Sequence, residues 1–197
     1  MKYFVYCLVL VLFTACNPVV RLLYGVKNPK VESKTTIEKF CKEMQFPNVP
    51  VFVSHADNFF VKKQLSDGEV YVFDRNGNFI PYKDPAKPNC SGPADLFLSY
   101  LDTATVYHFE PNFPMDSIER LLTDFDCRQV EIQKDNTTDF YVFITFAKYL
   151  GKKYQRHKAS VWIDTLQQNT RIHSRLFLID MDPAECWTEE QKAVFSK

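Results

Sequence analysis

The 197 residues carry 24 Lys/Arg against 24 Asp/Glu, with 46% hydrophobic and 15% aromatic side chains. That balance argues against a disordered chain, which would be poorer in apolar residues, and against a nucleic-acid binder, which would carry a basic excess. With 18 Phe, 10 Tyr and 5 Gly, and no internal repeat or low-complexity tract, the composition is that of a globular domain with a sizeable core.

The chain opens Met1-Lys2, and Tyr3 to Ala15 form an apolar run of 13 residues. A membrane-spanning helix needs about 20; this length fits the core of an export signal. The run ends Phe13-Thr14-Ala15-Cys16. Small residues before a cysteine, directly after an apolar core, resemble the lipobox of bacterial lipoproteins, with Phe13 where that motif usually has Leu. The resemblance implies cleavage before Cys16, a diacylglycerol thioether on its sulfur and an amide-linked acyl chain on its new amino group. Each buried methylene contributes about 0.8 kcal/mol, so two or three chains hold where one is marginal.

On this reading residues 1–15 are a signal peptide and residues 16–34 a lipidated tether with Pro18, Gly25 and Pro29. Residues 35–197 form one α/β domain, or two lobes meeting near residues 112–116. The expected partners are a membrane, reached through the anchor, and an envelope protein; nucleic acid is not expected. No Lys/Arg cluster within the tether points to anionic lipid. An acidic tract, which some surface-exported lipoproteins carry after the cysteine, is missing from residues 17–22. The expected location is therefore the cell or outer membrane, facing the periplasm.

Along the domain, Ile37, Phe40, Cys41 and Met44 share a face, predicting an amphipathic helix over residues 35–46 capped near Ser33. Residues 49–54 predict a strand and residues 57–65 a helix. Two strands around Asp74-Arg75-Asn76-Gly77 predict a hairpin over residues 69–82. A helix over residues 91–101 has Pro93 in its first turn. Strands are expected at residues 105–109 and 127–133, with a helix over 115–125 between them. Residues 138–147 are the most apolar stretch of the domain, the pattern of a strand buried on both faces. A helix over 157–168, a strand over 175–181 and a helix over 188–195 complete an α/β mixed sheet flanked by helices.

Two of these segments resemble pieces of the thioredoxin fold. In that family a buried strand ends in an aromatic motif, and two redox cysteines follow at a helix start. Phe146-Ala147-Lys148-Tyr149-Leu150-Gly151-Lys152-Lys153 has the same layout, with Leu150 and Lys153 at the two cysteine positions. The strand carrying Asp180 and Asp182 resembles the family's next strand. The hairpin with the helix after it resembles the family's closing unit, although here it comes first in the chain. Phe73-Asp74-Arg75-Asn76-Gly77 and the Phe146–Lys152 segment are also similar to those of a group of Bacteroidetes-type lipoproteins, a likeness that implies no activity.

Thiol–disulfide exchange needs a thiolate stabilised at a helix start. Leu150 has no nucleophilic atom and Lys153 carries the wrong sign for that position. The resemblance therefore implies a non-catalytic binding or accessory module, with no catalytic residue, cofactor or metal expected. The alternative is a redox protein with a relocated thiol. Cys90, before Ser91-Gly92-Pro93 at a helix start, is the candidate. Cys41, Cys90, Cys127 and Cys186 permit three disulfide pairings, and an exported compartment allows them.

His55, His108, His157 and His173 form no metal-binding spacing. Asp74 to Asn78 lacks the closing Glu of a calcium loop and reads as a turn. Asp180 and Asp182 lie at a strand's end, where ligand sites of α/β folds occur, and with Pro183 read as a turn. Lys148, Lys152, Lys153, Arg156, His157 and Lys158 form a basic run, read as a solvated helix face with an acidic partner as the alternative.

Overall fold

The computed structural model describes residues 21, 23–62, 64–83 and 94–195; the expected signal peptide, Cys16 and Cys90 lie outside them. Helix α1 (Lys34–Glu43) starts where the sequence predicts. Ser33 caps it, its hydroxyl accepting from the Thr36 amide while the Thr36 hydroxyl accepts from the Ser33 amide. Ile37 and Phe40 on its inner face are buried.

The described strands form one sheet in the order β2-β4-β5-β1-β3. They are β1 (Val51–Ser54), β2 (Val70–Asp74), β3 (Leu122–Thr123), β4 (Phe140–Phe146) and β5 (Ser174–Asp180). Strand β5 runs parallel to both β4 and β1, while β2 and β3 close the two edges antiparallel. The sheet is thus mixed, as the sequence predicts, and its strands come from both sides of residues 112–116.

The seven residues of β4 are all buried because both faces of the sheet are covered. Phe140, Val142, Ile144 and Phe146 face a core shared with α1, α2 (Ala94–Ser99) and α5 (Ala159–Gln168). Tyr141 and Phe143 face a second core with Phe73, Phe177 and residues of α3 (Met115–Glu119). Both hydroxyls in β4 are satisfied, and the Tyr141 hydroxyl accepts from the Asp135 amide at 2.7 Å. The Thr145 hydroxyl donates to Ser66 O at 2.8 Å and accepts from the Glu69 amide at 2.7 Å.

Several expectations change. The helix predicted over 115–125 stops at Glu119, because Leu122 and Thr123 are drawn into the sheet against Ser54 and Val53. The hairpin keeps its turn, but its second limb makes only isolated bridges, from Phe79 to Phe73 and Glu110. Strand β2 takes its full ladder from β4 instead. The Asp74 carboxylate accepts from the Asn76 and Asn78 amides, and Gly77 takes φ +86° to close the turn. Residues 105–109 and 127–133 form no named strand; Gln129 makes a single bridge to Thr123. The helix predicted over 157–168 is α5; a separate short helix absent from the predicted elements, α4 (Lys152–His157), precedes it, the two divided at Lys158 by φ −124° and ψ −89°. The stretch predicted as a helix near 57–65 is a five-residue π-helical turn, Asn58–Lys62.

Cys127 and Cys186 form a disulfide with Cα atoms 5.6 Å apart, across 59 residues of chain. It ties the loop after β3 to the segment before α6 (Glu189–Ala193), next to Trp187, which packs edge-on to Phe59. Closing a loop of this length stabilises the fold by about 4 kcal/mol in the chain-entropy account. The double variant Cys127→Ser/Cys186→Ser is therefore expected to unfold at a clearly lower urea concentration. An unchanged midpoint would show that the crosslink constrains nothing.

Candidate functional site at the carboxyl ends of the parallel strands

Strands β4, β5 and β1 are parallel, so their carboxyl ends meet along one edge, where α/β folds gather their ligand sites. There β5 closes on Asp180, and β4 passes through Ala147 into a 3₁₀ turn, Lys148–Leu150. Asp180 is 1% exposed and Asp182 0%. The Asp182 amide donates to Asp180 Oδ1 at 3.1 Å. The Asp182 carboxylate accepts from the Lys148 amide and, at 3.3 Å, from the Tyr149 amide. The turn reading of Asp180 and Asp182 was therefore only half the arrangement. Asp182 turns its carboxylate across to the neighbouring strand's exit and satisfies two donors of the β4–α4 connection.

Two carboxyls in hydrogen-bond contact away from water do not both ionise. Burial, and then the neighbouring Asp182 charge, hold Asp180 well above the ordinary carboxylate range. Burial also lifts Asp182, against the pull of the Lys148 amide and the Asp180 hydrogen bond. Of the two, Asp180 is the one held more strongly toward its neutral form, while the Asp182 carboxylate faces the two amides.

Charged and phenolic groups surround the pair. Lys148 Nζ meets Glu32 Oε2 at 2.5 Å, and Glu32 is itself fixed by its amide donating to Pro183 O at 2.8 Å. The Tyr149 hydroxyl donates to Asp67, whose carboxyl is pushed up by burial; the phenol is raised above its ordinary value by burial and by Asp67. The Gln155 amide donates to Ala147 O at 2.9 Å and anchors α4 to the end of β4.

The positions that resemble the redox pair are here. Leu150 is half-buried against the second core, and Lys153 is exposed with Nζ 5.8 Å from the Tyr24 ring. Neither offers a thiol. Cys41, the free cysteine among the described residues, is half-buried on α1; burial first and Asp180 second push its thiol up to about 12. The relocated-thiol candidate Cys90 and the lipidation candidate Cys16 fall outside the described residues. His55 accepts from the Asp57 amide at 3.1 Å, whereas His157 stands edge-on to Tyr24. Among the described residues no group of three or more His, Cys, Asp or Glu is arranged to hold a metal ion.

Sequence reasoning missed the joining of Glu32, Lys148, Asp180 and Asp182. It also missed a cleft of about 680 Å³ beside them, to which the basic run contributes Lys148, Lys152 and Lys153. The only sequence signal for the first was an Asp-Met-Asp-Pro stretch following an apolar strand. Comparison with family models, curated proteins and solved structures returns no match to this chain.

The buried pair makes a pH prediction. Asp180 stays protonated in the fold while its unfolded counterpart ionises near pH 4, so above that pH the unfolded state holds fewer protons and stability falls. Asp180→Asn keeps a neutral side chain at this position and escapes that cost. Its thermal midpoint should match or fall below wild type near pH 4 and rise above it by pH 8. Parallel pH profiles for the two proteins would contradict the assignment.

Proposed function

We propose that this chain is an exported lipoprotein, held at a membrane by acyl chains on Cys16, with a non-catalytic binding or accessory module on a thioredoxin-like scaffold. The observation that carries the reading is the state of its thiols. At the positions resembling the family's redox cysteines stand Leu150 and Lys153, and Cys41 is held in its inert thiol form by burial. Cys127 and Cys186 are consumed in a bond that crosslinks the fold.

That bond also supports export, because structural disulfides persist in oxidising compartments and are rare in reducing ones. The scaffold reading is supported by β4 and β5, parallel neighbours joined through α4 and α5, with β2 antiparallel on β4's other side. In chain order β2 comes before β4, so the likeness is one of arrangement and not of sequence order.

The test has two arms on the full chain. Intact mass after expression in a lipoprotein-processing host should show loss of residues 1–15 and gain of acyl chains, both abolished by Cys16→Ala. The processed protein should give no turnover of a disulfide substrate, and its Cys41 should react with a thiol reagent at least a hundredfold faster once denatured. An unprocessed wild-type chain would overturn the anchor, and catalytic turnover would overturn the non-catalytic module in favour of a relocated thiol such as Cys90.

A further inference from the structure

The chain has equal numbers of basic and acidic residues, yet they are not evenly spread. Residues 21–43 and 148–158 together hold 11 Lys/Arg and 3 Asp/Glu. These two segments wall the cleft of about 680 Å³ between α1 and the β4–α4 turn. Lys27, Lys39, Lys148, Lys152 and Lys153 all line it, with Glu43 as the one acidic wall residue. Lys148 is neutralised by Glu32 and Lys152 by Glu43 at 2.9 Å. Lys27 and Lys39 make no ion pair among the described residues, and Lys153 meets only the face of Tyr24. Phe40 and Leu23 supply apolar wall, and Leu23 is 56% exposed.

The backbone fixes this cleft beside the start of the domain. Gly25 takes φ +70° and ends a helical turn, with the Val26 amide donating to Arg21 O at 2.8 Å. The next amide, Lys27, donates to Tyr149 O at 2.7 Å and clips the segment to the β4–α4 turn. Gly151 makes the close approach possible, since a Cβ there would lie 2.5 Å from Tyr24 O. Six residues lie between Cys16 and Leu23, a reach of at most about 25 Å when fully extended.

We propose that this cleft is the face the protein turns to the bilayer, its unpaired lysines taking the phosphate of an anionic phospholipid headgroup. The inference rests on the Cys16 anchor, which would hold the cleft next to the headgroup layer. Charge complementarity selects the occupant. A surface of anionic lipid attracts lysines within about a Debye length, each adding roughly fivefold to association. The exposed Leu23 matches an apolar boundary next to that phosphate. The acidic remainder of the chain is then turned away from the membrane.

The experiment compares the full chain in nanodiscs of phosphatidylcholine alone and of phosphatidylcholine with 30% phosphatidylglycerol, by amide hydrogen exchange. Exchange in residues 21–27 and 148–158 is expected to slow about tenfold in the anionic nanodiscs only, and to recover in 0.5 M salt. The triple variant Lys27→Glu/Lys39→Glu/Lys153→Glu should lose that protection while Arg120→Glu keeps it. The triple Gln variant, which only neutralises, should lose most of it, and serves if the Glu variant does not fold. Equal exchange in the two nanodiscs, or protection retained in both triple variants, would overturn the proposal. So would the same protection from inorganic phosphate with phosphatidylcholine nanodiscs, which would make the site one for soluble anions. Intact mass of the same sample separates the two claims. An unmodified Cys16 overturns the anchor, whereas the dependence on phosphatidylglycerol reports on the cleft whatever that mass shows.

Discussion

The edge of the sheet is organised by one buried carboxylate. Asp182 is fully enclosed, and what makes a carboxylate tolerable there is a set of donors aimed at it: the amides of Lys148 and Tyr149, with the Asp180 carboxyl beside them. A buried charge without such donors costs several kcal/mol. The same bonds that satisfy Asp182 define the path of the chain as it leaves β4. That path sets where Gly151 lies, where α4 begins and which way Lys148, Lys152 and Lys153 point. The N-terminal segment docks on the result, through Tyr149 O and against Gly151.

The strand-to-helix turn after β4 is a structural joint, held on one side by Asp182 and on the other by the N-terminal segment through the Lys27 amide. Among the described residues Cys41 is half-buried, and the bonded pair Cys127–Cys186 staples the loop after β3 to the segment before α6.

Much of the fold was legible because it rests on local rules. The Ser33 cap, the apolar run of β4 and the Asp74 to Gly77 turn each announce themselves within a few residues. Legibility failed where a distant partner decided the outcome. Leu122 and Thr123 continue a helical pattern until β1 offers an unpaired edge, and the short α4 ahead of α5 has no counterpart among the predicted elements. The site was harder still. Glu32, Asp67, Lys148 and Asp182 are up to 150 residues apart in the chain, so nothing in spacing could join them. The basic run was visible in the sequence, but its meeting with Lys27 and Lys39 required the Gly25 turn and the Gly151 contact.

The most direct measurement is residue-resolved native-state hydrogen exchange at the Lys148 and Tyr149 amides, in wild type and in Asp182→Ala. Removing the acceptor leaves two buried donors unpaired, a loss of about 2–4 kcal/mol. Both amides should then exchange at least thirtyfold faster, with those in the middle of β4 changing far less. If the two amides keep their wild-type protection in the variant, Asp182 does not hold the turn.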